Sequence, residues 1–176
     1  MIIKEVTQVG NPILKSKAKF VSSIGSKETQ EVVTNLIDSM HYHDLVGMAT
    51  SQIGEKLRIF VTELRKTKFR DEDVDQFRVY INPKITWFSK KQVVIYEGCG
   101  SVAYGNLFGP VRRPEKIEVE AFDEKGKSFK LRAGGLLSRV IQHEYDHLEG
   151  VEFTEKITDM QKIMSRGEYL KMKERS

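Results

Sequence analysis

Residues 142–150 read Gln-His-Glu-Tyr-Asp-His-Leu-Glu-Gly, and no other stretch constrains the chain as strongly. His143 and His147 are one helical turn apart, so on a helix they share a face. Both imidazoles can then bind one ion while Glu144, one step round, reaches a water beside it. That is the arrangement for metal-assisted hydrolysis. The same residues on an ordinary helix could also be two histidines facing solvent, so the rest of the chain has to decide. Leu136, Leu137, Val140 and Ile141 give this segment an apolar face and predict a helix from Gly135 to about Leu148.

A hydrolytic centre of this kind takes three protein ligands and keeps one position open. His41 and His43 stand near the end of an earlier predicted helix, where histidine commonly complements the helix dipole. The better third candidate is Cys99, the only cysteine of the chain. It follows an apolar strand and is flanked by Gly98 and Gly100, which let the backbone approach something closely. Free cysteine is also common as a small buried hydrophobe.

A single cysteine excludes an intrachain disulfide and suits a reducing compartment such as the cytoplasm. The 176 residues suit one domain, 1–176, with 39% hydrophobic and 31% charged side chains. No apolar run approaches the ~20 residues of a membrane span. The start, Met1 to Val6, lacks the apolar core of a secretion signal and reads as strand-like. A net charge of +4 permits weak attraction to a ribosome surface or nucleic acid and requires neither. Nothing points to sequence-specific nucleic-acid binding.

Ser26 as an N-cap, Glu28 in the first turn and the stripe Val32, Val33, Leu36, Ile37 and Met40 predict a helix over 27–42. Strands are predicted at 57–61, 77–81, 93–96 and 117–122. Asp123 to Gly126 predicts a hairpin turn into a strand over 128–133. A polar third helix is predicted over 159–173, bent near Gly167. The fold class is α+β: antiparallel sheets around a central motif-bearing helix, with an N-terminal and a C-terminal helix.

With these residues in place, the chain resembles the peptide deformylases. That family carries three motifs in fixed order. GxGxAAxQ corresponds to Leu45-Val46-Gly47-Met48-Ala49-Thr50-Ser51-Gln52. EGCxS is matched by Glu97 to Ser101, and QHExDHLxG in full by Gln142 to Gly150. The likeness spans nearly the whole chain, including Asn11 to Leu14 and Asp123 to Gly126. It departs at Leu45, usually glycine, at Thr50, usually alanine, and at Gly100, most often leucine in bacterial members. Gly100 to Ala103 and Arg139 lean toward a divergent, organelle-like branch.

The resemblance implies a hydrolase that removes the formyl group from the N-terminal formylmethionine of new polypeptides. Cys99, His143 and His147 would hold one divalent ion, Fe²⁺ in preference to Zn²⁺, Ni²⁺ or Co²⁺. Glu144 would serve as general base and then acid. The Gln52 side-chain amide and the Gly100 N–H would hold the developing oxyanion. Gly47, Val46, Leu45, Gly98 and Val140 would contact substrate, and Glu97 and Asp146 would support the ligands or cap. The partners implied are N-formylmethionyl peptides and, transiently, the ribosome, in the cytoplasm or an organelle stroma or matrix. Two other readings compete. One is a deformylase-like binder of peptide N-termini or the ribosome with weak turnover, its cleft narrowed by Leu45. The other is a His-Glu-x-x-His endopeptidase, whose third ligand is usually His or Glu rather than Cys. Retention of Glu144, Gln52 and all three ligands argues against the first.

Overall fold

In the computed structural model, residues 2–66 and 74–175 are described. Helix α1 spans Lys27–Tyr42, and the Ser26 side chain accepts from the Thr29 N–H to cap it. The strands in chain order are β1 (Gly47–Ala49), β2 (Ile59–Leu64), β3 (Asp75–Phe88), β4 (Gln92–Gly98), β5 (Leu107–Pro114), β6 (Lys116–Phe122), β7 (Ser128–Gly134) and β8 (Met164–Ser165). Helix α2 is Gly135–Leu148 and α3 is Arg166–Glu174. The strands form a five-stranded sheet, β1-β2-β3-β6-β7, and a three-stranded sheet, β4-β5-β8. Every pairing between strands is antiparallel. The architecture is the α+β class expected from the sequence.

The five-stranded sheet is covered by a helix on each face, and side-chain alternation assigns the residues. Ile59 and Val61 of β2, with Val79 and Ile81 of β3, pack with Val33, Leu36 and Met40 of α1. Their neighbours Phe60 and Tyr80 point the other way, into a cluster with Ile141 and Leu148 of α2. Phe60 and Tyr80 stack with ring centroids 4.4 Å apart. Being buried on both faces, the first half of β2, Ile59-Phe60-Val61, reads as a continuous apolar run rather than an alternating one.

The start of the chain corrects the strand-like expectation. Met1 lies outside the described residues, and residues 2–7 join neither sheet. They form a strap. The Thr7 N–H donates to the Gln52 carbonyl at 2.8 Å and the Val9 N–H to the Ser101 carbonyl at 2.7 Å. Gln8 Nε2 donates to the Gly100 carbonyl at 2.9 Å. The first and second motifs are thereby tied to one segment.

The third helix is shorter than the sequence predicts. Asp159 caps only a 3₁₀ turn, Met160–Lys162, and the chain then pairs with β5 as β8, Phe108 opposite Met164. Only at Ser165, whose side chain accepts from the Glu168 N–H, does α3 begin. Gly167 therefore lies in its first turn and bends nothing. Gly150, which closes the third motif, has φ +74°, and a Cβ there would lie 2.5 Å from the Lys15 carbonyl oxygen. Only glycine lets the chain leave α2 at that contact.

Candidate active site

Helix α2 presents His143 and His147 on one face, and the turn after β4 brings Cys99 against them. One ligand atom from each of the three residues lies within 4.8 Å of the others. Cys99 Sγ is 3.2 Å from His147 Nε2, and all three side chains are buried or nearly so. Burial pushes the Cys99 thiol up, but the charges of His147 and His143 outweigh it and bring the thiol down to about 5. The sulfur is thus held in the thiolate form that binds metals. A thiolate with two imidazoles is a donor set for Fe²⁺, Zn²⁺ or neighbouring divalent ions, and three ligands leave a position open. His41 and His43 are elsewhere: His41 Nε2 lies 2.7 Å from Glu63 and His43 Nε2 3.0 Å from the Lys4 carbonyl.

A buried charge network orients the ligands. His143 Nδ1 lies 3.0 Å from Glu97 Oε2. Arg113 grips the same carboxylate bidentately, Nε to Oε1 at 2.6 Å and Nη2 to Oε2 at 2.9 Å. Arg139 Nη1 adds a bond to Oε1 at 2.8 Å and another to the Val111 carbonyl at 2.9 Å. Arg113 Nη1 also reaches Asp146 at 2.6 Å, and Lys156 pairs with that aspartate at 3.1 Å. Burial would raise the Glu97 carboxyl, yet the bonds from Arg113 and His143 hold it far below the usual carboxylate range.

Glu144 is buried, and its Oε2 has no hydrogen-bond partner among the described residues. Before any ion's charge is counted, burial pushes its carboxyl up to about 7 against the opposing pull of His143 and His147. Gly47 makes room for it: a Cβ there would sit 2.7 Å from Glu144 Oε1 and 2.7 Å from Val140 Cγ1. Gln52 has a fixed orientation. Its Oε1 accepts from the Ala49 N–H at 2.8 Å, so its Nε2 donates toward Ser101 Oγ at 3.3 Å and Cys99 Sγ at 3.7 Å.

A strap-tied thiolate, two histidines on a helix and a buried glutamate beside them fit one group of proteins. The family model for polypeptide deformylase matches residues 3–163. The chain belongs to the polypeptide deformylase family. The peptide deformylase of Dictyoglomus thermophilum is 42% identical over 150 residues, covering 85% of this chain and 90% of that one. A solved peptide deformylase from Synechococcus elongatus, in complex with actinonin, has a TM-score of 0.78 at 32% identity, covering 90% of this chain and 80% of that one. That of Ehrlichia chaffeensis has a TM-score of 0.82 at 28% identity, covering 99% and 98%. Membership makes the chain a metal-dependent hydrolase of the deformylase type.

In this deformylase the Cys-His-His cluster opens onto a cleft of about 1060 Å³. Leu45, Val46, Gly47, Gly98, Gly100 and Val140 all line it, as do Gln52 and Glu144. Asp146 touches Arg113 and Lys156 and does not line the cleft. Four contributing residues could not be read from the sequence. Arg113, which lies in a strand, gives no sign that it is buried. The aromatic pair Phe108 and Tyr169, stacked with centroids 4.4 Å apart, brings α3 to the cleft wall, and Leu170 follows it there. Placing the start of α3 from sequence would have required the β5–β8 pairing, which is only two residue pairs long.

Proposed function

We propose that this deformylase hydrolyses the formyl amide of N-formylmethionyl peptides, releasing formate and a free methionyl amine. The observation that carries the reading is the buried Glu144 carboxylate beside the gathered Cys99, His143 and His147. A divalent ion held by those three would supply Lewis acidity and a more acidic water. Fe²⁺ is the ion proposed, with Zn²⁺, Ni²⁺ and Co²⁺ as replacements. Glu144 Oε2 takes the proton of the attacking water and passes it to the leaving amine nitrogen. Gln52 Nε2 and the Gly100 N–H donate to the oxygen on which charge develops. Gly47 lets the substrate backbone run close to Glu144, and Val46 and Val140 wall the pocket for the methionine side chain. Peptides are the substrates, met as they leave the ribosome, in the cytoplasm or an organelle matrix or stroma where the thiolate stays reduced.

The test is formate release from formyl-Met-Ala-Ser, with metal content measured on the same sample. Release in proportion to bound metal supports the reading. Metal-loaded protein that releases no formate overturns it.

A further inference from the structure

Leu45 and Gly100 are the two positions at which the first and second motifs depart most in side-chain size, and the fold sets them against each other. A Cβ on residue 100 would lie 3.0 Å from Leu45 Cδ1, 3.4 Å from Leu45 Cδ2 and 3.6 Å from Val6 Cγ1. The leucine side chain therefore fills the space that a side chain on residue 100 would enter. The resemblance sets these positions against glycine at the first and, in bacterial members, most often leucine at the second. Here the two residue types are exchanged.

Both backbones are held in place. The Leu45 N–H donates to the Met40 carbonyl at 3.0 Å, and the Leu45 carbonyl accepts from Arg65 Nη2 at 2.9 Å. The Gly100 carbonyl accepts from Gln8 Nε2 at 2.9 Å. These bonds fix the two backbones, so the contact can be relieved only by turning the Leu45 side chain. Both line the cleft, and Gly100 is covalently next to Cys99.

We infer that Leu45 determines specificity as one half of an exchanged pair: from the loop between α1 and β1 it supplies the single leucine that closes the cleft wall beside Cys99, and it sets the size of the acyl group admitted there. This inference rests on the deformylase reading above. Closed packing at this wall admits the hydrogen of a formyl group and crowds a methyl. Removing Leu45 while glycine remains at 100 opens a gap at this wall.

A four-member cycle tests it: wild type, Leu45→Gly, Gly100→Leu and the double variant. Each is assayed on formyl-Met-Ala-Ser and acetyl-Met-Ala-Ser, and each is melted. Leu45→Gly should raise the acetyl-to-formyl ratio of kcat/KM about tenfold, the scale of one methyl group in a pocket. Gly100→Leu should lower kcat/KM on the formyl peptide by ~10-fold or more, because the two leucines collide. The double variant should bring selectivity and Tm back close to wild type, a non-additivity expected only of residues in contact. Additive effects in the double variant overturn the pairing. Coupled Tm values with an unchanged acetyl-to-formyl ratio overturn the specificity role. If Gly100→Leu does not fold, Gly100→Ala combined with Leu45→Val carries the same cycle, since a Cβ alone already makes the 3.0 Å contact. Absence of formate release from the wild type overturns the functional reading instead, and the melting cycle still decides the pairing.

Discussion

His143 Nδ1 lies 3.0 Å from Glu97 Oε2, and that contact selects the nitrogen the ring offers to an ion. The Glu97 carboxylate can only accept, so Nδ1 must carry the proton and Nε2 is left to face Cys99. The same carboxylate accepts from Arg113 and Arg139, so one residue sets the ligand tautomer and closes a buried charge network.

Glu97→Gln should therefore weaken metal binding about 10–100-fold, the usual cost of losing a ligand's hydrogen-bond partner. Competition with a chelator measures it. The variant should also be destabilised by ~3–5 kcal/mol, because the buried Arg139 loses its counter-charge and Arg113 keeps only Asp146. Unchanged metal affinity in a folded Glu97→Gln protein would show that Glu97 serves the fold alone.

Gly47→Ala should impair the reaction without removing the ion. Its Cβ would lie 2.7 Å from Glu144 Oε1, so the carboxylate must swing away. A drop in kcat of up to ~10²–10⁴-fold is expected, approaching that of Glu144→Gln, with metal content kept in both. Wild-type kcat in Gly47→Ala would mean that the observed pose of Glu144 is not the working one.

Gln52→Leu should cost on the order of 10²–10³-fold in kcat, the scale of one oxyanion donor. Its Oε1 is already held by the Ala49 N–H, so the variant removes that brace together with the Nε2 donor. A change confined to KM would make Gln52 a substrate-positioning residue.

What could be read in the sequence was what repeats at short range. Helix α2 runs from Gly135 to Leu148 as its apolar period predicts, and α1 begins where Ser26 caps it. The ligand residues could be picked out because few residue types bind metals and the chain has one cysteine. Strand β5 was missed because Gly109, Pro110 and Pro114 read as breakers, although its place beside β4 accommodates them. The role of Arg113 could not be read at all, since it depends on Glu97 and Asp146 arriving from two other elements. Gly47 suggested a close approach of substrate; the structure shows that its nearest neighbours are Glu144 and Val140. The end of α3 nearer β8 was misplaced because a two-residue strand leaves no period.

Glu63 supplies a pH test away from the ligands. Burial raises its carboxyl, but hydrogen bonds from His41 and Arg65 outweigh it and hold the pKa below the ordinary 4.5. A carboxyl lowered in the folded state stabilises the fold above the unfolded value and loses that contribution as pH falls through the folded one. Glu63→Gln should melt about 1–3 °C below wild type near neutral pH, the scale of a partly exposed ion pair in a chain of this size. The two melting curves should converge as pH falls below the folded-state pKa of Glu63, where wild type has lost the same contribution. A deficit that stays constant across that range would assign the loss to packing rather than charge.

The last prediction concerns the ion itself. One thiolate and two imidazoles bind Fe²⁺ and Zn²⁺ alike, so the donor set alone does not choose between them. Their chemistry differs in air. With Fe²⁺ at Cys99, a redox-active ion and a thiolate share one cleft, and oxidation of either the iron or the sulfur destroys the centre. Zinc and nickel lack that route at the metal. Protein prepared without oxygen and loaded with Fe²⁺ should therefore be the most active form, and it should lose activity on exposure to air. The nickel-loaded protein should be indifferent to air. Mass spectrometry of the air-treated iron form should find added oxygen on Cys99 or, failing that, intact cysteine with ferric iron. Activity that tracks zinc content and ignores oxygen would remove iron from the proposal. The proton-transfer role of Glu144 would then stand or fall on Glu144→Gln alone, because the carboxylate's position beside the cluster does not depend on which ion fills it.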